Sequence, residues 1–306
     1  VIDLSNFAKR LKKLRIKNKI LQKDISTDLG VAQTTISNYE KGVRFPDEAT
    51  LKTIASYFNV TIDYLLGYAP ENDTFSTYKN QPILESNILT NPTTLTLLAQ
   101  RYMNYLMEGK SEEARTLLVD AVNRGEDLKS IYINIFERTL VEIGTLWNSS
   151  RIDVFQEHYF TEATQMIMSQ VNALRPRSES KDYAMISLST GGELHNIGIR
   201  MVTDFMAMDG WKTYFLGSNV PSESLIKAAD YYHADVIAIS CTMSYHVNSV
   251  LSLIKTIHSS HLIKKPKIIV GGLAFNYDKL LWKRVQADGY ACSASECVEL
   301  ANKLVK

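Results

Sequence analysis

Residues 183–198, YAMISLSTGGELHNIG, pass from a run of branched and aromatic side chains into a glycine-bearing loop. Tyr183–Ser189 has the length and composition of a strand. Thr213–Leu216, Val236–Ser240 and Ile268–Val270 repeat the pattern, with helical stretches between them. Strand and helix alternating at this pitch predicts a doubly wound parallel sheet. Ligands of such sheets bind beyond the carboxyl ends of the strands. That places a candidate site in Thr190–Gly198, Ser240–Tyr245 and Gly271–Asn276.

Upstream of this α/β region the periodicity is helical throughout. From Pro92 to about Leu174, apolar residues recur at helical spacing, with Gly109, Gly125 and Arg151–Asp153 as interruptions, which predicts a bundle of about four antiparallel helices. Residues 69–91 are polar and aperiodic, and read as a linker that docks at Ile83 and Leu84 if at all. Before it, Leu4, Phe7, Leu11 and Leu14 mark one helix. Leu21, Ile25 and Leu29 begin a second that Gly30 stops, and Ile36 and Tyr39 mark a third ending near Gly42. Pro46-Asp47-Glu48 opens a fourth, and Ile62, Leu65 and Leu66 line a fifth. The expected domains are therefore 1–68, the linker 69–91, a bundle over 92–177 and the sheet domain over 178–306.

Composition narrows the functions. The 306 residues carry 34 Lys+Arg against 33 Asp+Glu and are 45% hydrophobic, which excludes both wholesale disorder and a polybasic tail protein. No apolar run reaches the ~18 residues of a membrane helix, and no signal-peptide core stands at the N-terminus, so a soluble cytoplasmic protein with no membrane partner is expected. Cys241, Cys292 and Cys297 show no metal-ligand spacing and are expected as reduced thiols. The near-neutral total hides an asymmetry. Residues 1–67 hold 11 Lys/Arg against 7 Asp/Glu, and the first 23 residues hold eight basic side chains against the single acid Asp3. A basic end on a mildly acidic body points to a polyanionic partner.

Gln22, Ser26, Gly30, Ile36 and Tyr39 fall where a helix-turn-helix needs them: a small residue in the first helix, glycine in the turn, apolar residues locking the second helix. The stretch QTTISNYEKG then presents Gln33, Thr34, Thr35, Ser37 and Asn38 on its polar side, and Gln and Asn can pair with adenine in the major groove. Residues 4–67 resemble the lambda-repressor-like, or XRE, family through Arg15, Gln22, Gly30-Val31, Ile36-Ser37, Tyr39-Glu40, Gly42, Pro46 and Leu65-Leu66. Ser26 stands where that family usually has Ala. The resemblance implies that Gln33, Thr34 and Asn38 face bases, while Gln22, Thr35, Lys41 and Arg44 contact phosphates or orient the recognition helix. It also implies binding to double-stranded operator DNA as a dimer.

The loop TGGELHNIG contains Glu193, His195 and Gly198 as E-x-H-x-x-G, followed in order by Ser240-Cys241-Thr242 and Gly271-Gly272. Residues 182–305 thereby resemble the Rossmann-like cobalamin-binding domain, whose signature is D-x-H-x-x-G, a distant S-x-L or S-x-T, and a GG pair. The resemblance implies a cobalt corrinoid with His195 as its lower axial metal ligand. Glu193 would orient the other ring nitrogen, in place of the usual Asp and one methylene longer. Ser240 and Thr242 would meet the buried benzimidazole tail, with Gly198, Gly271 and Gly272 admitting its nucleotide loop. His233, His246, His258 and His261 have no matching role.

Within GTLWNSSRIDVFQEHYF, Trp147 is followed by nine residues and then Glu157-His158. This resembles the bundle that caps cobalamin in CarH- and LitR-like photoreceptor regulators, and implies that Trp147, Val154, Glu157 and His158 surround the 5′-deoxyadenosyl group of adenosylcobalamin. Those regulators often carry His immediately after the Trp, where it takes the upper cobalt position after illumination. Here that residue is Asn148, and an amide is a poor cobalt ligand beside imidazole.

Together these resemblances imply a non-enzymatic, one-component regulator of transcription, acting as a repressor and homo-oligomeric as a dimer or tetramer. It would sense adenosylcobalamin, and light is the candidate second signal. Two alternatives stand beside it. One is a corrinoid carrier for methyl transfer, which would prefer methylcobalamin. The other is a regulator whose sheet domain binds another tetrapyrrole such as haem, or no cofactor.

Overall fold

The computed structural model describes residues 4–58, 60, 62–67, 94–149, 151–175, 178–278 and 280–306. The expected linker 69–91, with Ile83 and Leu84, lies outside the described residues. The chain divides into two units, an N-terminal helical one and a larger one.

The N-terminal unit has five helices: α1 (Leu4–Lys17), α2 (Gln22–Asp28), α3 (Gln33–Glu40), α4 (Glu48–Tyr57) and α5 (Ile62–Leu66). Helical spacing puts Phe7, Leu11 and Leu14 on one face of α1, where they pack with Ile25, Ile36, Tyr39, Leu51, Ile54 and Leu65. Phe7 meets Phe45 edge-on, with ring centroids 5.0 Å apart. Gly30, at φ +64°, makes the turn between α2 and α3, a conformation that costs glycine little. The Asp47 side chain caps α4 by accepting from the Thr50 N–H at 2.8 Å. One expectation fails: Leu21 precedes α2 as its cap and is 66% exposed, so it contributes nothing to the core.

The larger unit begins with a helical bundle, α6 (Thr94–Met107), α7 (Ser111–Asn123), α8 (Leu128–Ile131), α9 (Arg138–Asn148) and α10 (Val154–Asn172). A π-helical stretch, Tyr132–Glu137, runs between α8 and α9 without a break, so the bundle has four rods. The Thr139 hydroxyl donates to the Ile135 carbonyl at 2.7 Å and lies 3.3 Å from that of Phe136, supplying donors where the ladder changes pitch. At the start of α10, Asp153 and Gln156 form a capping box.

Next comes the sheet, β1 (Ala184–Ser189), β2 (Lys212–Phe215), β3 (Val236–Ser240), β4 (Lys267–Gly271) and β5 (Gly289–Tyr290). All pairs are parallel and the order is β2-β1-β3-β4-β5. Helices α11 (Ile197–Met208), α12 (Ser222–Tyr231), α13 (Val247–Ser259), α14 (Leu273–Tyr277), α15 (Leu281–Arg284) and α16 (Ala294–Leu304) connect or follow the strands. This is the doubly wound fold read from the sequence, with β1 starting one residue later and β4 one residue longer at each end than expected. The second strand lies one residue earlier than expected, and β5 was not foreseen. Two residues paired with Ile269 and Val270 leave no hydrophobic run to read.

One apolar core continues from the bundle into the sheet domain through Tyr132, Phe136, Phe160, Ile199, Phe205 and Met206. A buried polar cluster crosses the same boundary. Asp204 on α11, 4% exposed, accepts from Tyr132 Oη at 2.8 Å and from Asn172 Nδ2 at 2.9 Å. Arg200, one turn earlier, lies 3.3 Å from the same carboxylate. Burial raises the Asp204 pKa above its ordinary value, although Arg200 and the Tyr132 hydroxyl oppose the shift.

Candidate functional site

The chain leaves β1 towards β2 on one side of it, while β3 lies on the other, so the loops after β1 and β3 flank the topological switch point. The loop after β1 carries Glu193 and His195. Glu193 is 1% exposed, and a buried carboxylate requires partners. Its Oε1 lies 2.5 Å from His195 Nδ1 and accepts from the His195 backbone N–H at 3.1 Å. Its Oε2 accepts from the Thr242 backbone N–H at 3.0 Å, in the loop after β3. The imidazole itself is 62% exposed. With Nδ1 held by a carboxylate, Nε2 is the nitrogen suited to a metal, and the carboxylate raises its basicity. The extra methylene of Glu therefore does not prevent the contact expected of an Asp.

Under the same strand ends lies an open cavity whose lining includes Gly198, Ser240, Gly271 and Gly272. Four expected site residues, from the start of α11 and the carboxyl ends of β3 and β4, are thus brought together. Apolar side chains of α11 and the strands complete the wall, with the Cys297 thiol, which burial pushes up to about 12 and keeps protonated. At Gly198 an added Cβ would meet nothing within 4 Å, which leaves room for close approach by a ligand. Gly272 is glycine for a reason internal to the fold. Its φ is +93°, and a Cβ there would stand 2.5 Å from the Cys241 carbonyl oxygen. Thr242 is not among the cavity-lining residues; its part in the geometry is the backbone N–H given to Glu193. Neither Glu193 nor His195 is among the cavity-lining residues, and both lie in the loop after β1.

The expected cap residues lie on the bundle at the end of α9 and the first turns of α10. Trp147 is half-buried, and Val154 is 46% exposed. Glu157 accepts from Thr161 Oγ1 at 2.9 Å and stands 3.6 Å from His158 Nε2. His158 is exposed, as is Asn148. None of these four cap residues lines the cavity below the strands. The bundle residue that does is Glu137, at the end of the π-helical stretch, which no sequence motif singled out. Asp204 could have been noticed as the lone acid within the apolar helix IGIRMVTDFMAM.

On the N-terminal unit, α3 exposes Gln33 and Thr34 and half-exposes Thr35 and Asn38, while Lys41 and Arg44 are exposed just beyond it. Its buried side is fixed by Glu40. Arg15 pairs with both carboxylate oxygens, at 2.5 and 3.0 Å, and Gln22 Nε2 donates to Oε2 at 2.8 Å. Burial alone would raise the Glu40 carboxyl, but the hydrogen bonds from Arg15 and Gln22 and the Arg15 charge outweigh it and hold the pKa below the ordinary range. Gln22 and Arg15 thus hold α3 in place through Glu40, with the exposed cations Lys41 and Arg44 just beyond its end.

Three family models match the chain: a helix-turn-helix domain over residues 8–68, and two B12 binding domains over residues 98–172 and 183–298. A corrinoid protein of Desulfitobacterium hafniense (strain Y51) is 25% identical over 205 residues, 65% of this chain and 94% of that protein. The dimethylamine corrinoid protein of Methanosarcina barkeri is 27% identical over 169 residues, 54% of this chain and 77% of that one. The structure of the Methanosarcina barkeri monomethylamine corrinoid protein superposes with a TM-score of 0.59 at 18% identity, covering 68% of this chain and 98% of that one, a likeness of fold. The chain therefore joins an all-α helix-turn-helix domain to a helical cap and a Rossmann-like parallel-sheet domain that bind a cobalt corrinoid. Among the described residues no helix is long and apolar enough to cross a membrane.

Proposed function

We propose that the chain is a one-component transcriptional repressor that senses adenosylcobalamin, the cofactor setting a dimeric or tetrameric state that holds double-stranded operator DNA. The observation that carries this reading is the exposed His195 ring, anchored by buried Glu193, in the same chain as an exposed recognition helix. The residues divide the work. His195 would supply an imidazole nitrogen to the cobalt, Glu193 would fix its ring, and Ser240, Gly198, Gly271 and Gly272 would frame the cavity for the benzimidazole tail. Trp147, Val154, Glu157 and His158 cover the upper face. When bound, the corrinoid supplies a cobalt–carbon bond that light can break. Coupling is by linkage: a ligand shifts assembly only as far as its affinities for the two states differ.

Asn148 offers no imidazole for the upper position, so light acts here as a second signal only if another group stabilises the illuminated state. The test is a visible spectrum of the full chain mixed with adenosylcobalamin in darkness, desalted, then recorded again after green light, with operator affinity measured at each stage. Retained corrinoid and an operator affinity that changes with it support the sensor. Loss of all corrinoid on desalting sinks it.

The corrinoid relatives favour a second reading, a carrier for methyl transfer. A carrier has no use for Gln33 and Asn38 on an exposed recognition helix. Preference for methylcobalamin together with DNA binding indifferent to corrinoid would decide for it.

A further inference from the structure

Glu137 ends the π-helical stretch Tyr132–Glu137 and is the bundle residue that lines the cavity beneath the strand ends, together with Gly198 and Ser240. Its placement has a structural cause. At the other end of the stretch, Tyr132 is fully buried and its hydroxyl donates to Asp204 on α11. Helix α11 also carries Gly198, Met201 and Val202, which line the cavity. The bundle is thus pinned to the very helix that forms the cavity wall. Phe136 remains in the core at 0% exposure while its neighbour Glu137 emerges at the cavity. π-Helical turns occur often at functional sites. Burial raises the Glu137 carboxyl above its ordinary pKa, as suits an acid partly withdrawn into a cleft.

We infer that Glu137 is a ligand-contacting residue of the cap, its carboxylate accepting hydrogen bonds from N–H or O–H donors on the corrinoid. Three parts of adenosylcobalamin carry such donors: the carboxamides around the ring, the ribose hydroxyls of the nucleotide tail, and the hydroxyls and amino group of the deoxyadenosyl moiety. An acceptor-only group suits all three. The inference rests on the corrinoid reading above, and deepens it by adding a contact from the bundle side that no motif assigns.

The experiment is a spectroscopic titration of the full chain and its Glu137→Gln and Glu137→Ala variants with adenosylcobalamin, with adenosylcobinamide, which keeps the ring carboxamides and the adenosyl group but lacks the nucleotide tail, and with cobinamide, which lacks both. Arg138→Ala, an exposed neighbour outside the cavity lining, is the control and should bind as the parent does. Thermal melts of the apo proteins verify that Glu137, exposed overall, is not needed for folding. Glu137→Ala should weaken adenosylcobalamin binding roughly 10- to 100-fold, the range for a lost hydrogen bond to a charged group, with Glu137→Gln intermediate. Persistence of the loss with cobinamide identifies the carboxamides as donors, its disappearance already with adenosylcobinamide identifies the tail ribose, and its disappearance only with cobinamide identifies the adenosyl group. Affinity within twofold of the parent in both variants overturns the inference and leaves the corrinoid site standing. A parent chain that binds no corrinoid overturns both together.

Discussion

Glu193 and Thr242 stand in different loops, after β1 and β3, and are joined by a 3.0 Å hydrogen bond from the Thr242 backbone N–H to Glu193 Oε2. The other oxygen holds His195. One buried carboxylate therefore ties the candidate cobalt ligand to the neighbouring strand across the switch point. The length of Glu is used at both ends.

Shortening that side chain should loosen one of its two attachments. Glu193→Asp is expected to weaken corrinoid binding about 10- to 100-fold, as for other groups that orient a metal-binding His. Glu193→Gln, which keeps the length but loses the charge, should fall between Asp and the parent. Visible titration checks this, and unchanged affinity in both variants would remove Glu193 from the site.

Asp204 gives the larger unit a pH dependence of known sign. Its folded pKa is raised, so the native state holds the proton more tightly than the unfolded chain does. The associated stability is complete below the unfolded carboxylate value of 3.8 and is lost as pH rises through the native pKa. Asp204→Asn should flatten that slope. Urea denaturation across pH 3–7 reads it, and identical slopes in parent and variant would contradict the assignment.

In the same cluster, Tyr132→Phe removes a buried donor and leaves a carboxylate oxygen short of a partner. The expected cost is about 1–3 kcal/mol. A comparable shift in corrinoid affinity should accompany it if the cluster sets the cap over the cavity.

Glu40 has the opposite sign. Its folded pKa is lowered, so its contribution is present above the unfolded value of 4.5 and is lost as pH falls through the native one. Glu40→Gln should destabilise the N-terminal unit by about 1.5–3 kcal/mol at pH 7, and by progressively less in acid. A pH-independent difference would show that the Arg15 pair is not its source.

On DNA, the exposed side chains should separate by role. Lys41→Ala and Arg44→Ala should weaken binding to all sequences alike, each lowering the salt slope by about 1. Gln33→Ala and Asn38→Ala should instead relax base preference, by about 1–3 kcal/mol for a lost paired contact. Selection of bound sequences followed by salt-dependent titration distinguishes the two classes.

The five N-terminal helices, four of the five strands, and the glycines and serine that line the cavity under the strand ends were legible in the sequence. Those features are written in local periodicity and in short loops whose residue order sets their chemistry. Strand β5 was not legible, because two residues gain strand character only by pairing with β4. The exposed Leu21 was misread because helical spacing does not say where a helix begins. Only the tertiary structure decided that Glu193 reaches Thr242, 49 positions away, and that Tyr132 meets Asp204 across 72. Glu137 reached the cavity by the same means. Contacts between residues so distant in the chain leave no period to read, since they depend on how whole elements pack, and that packing places a bundle acid beside a sheet-domain cavity.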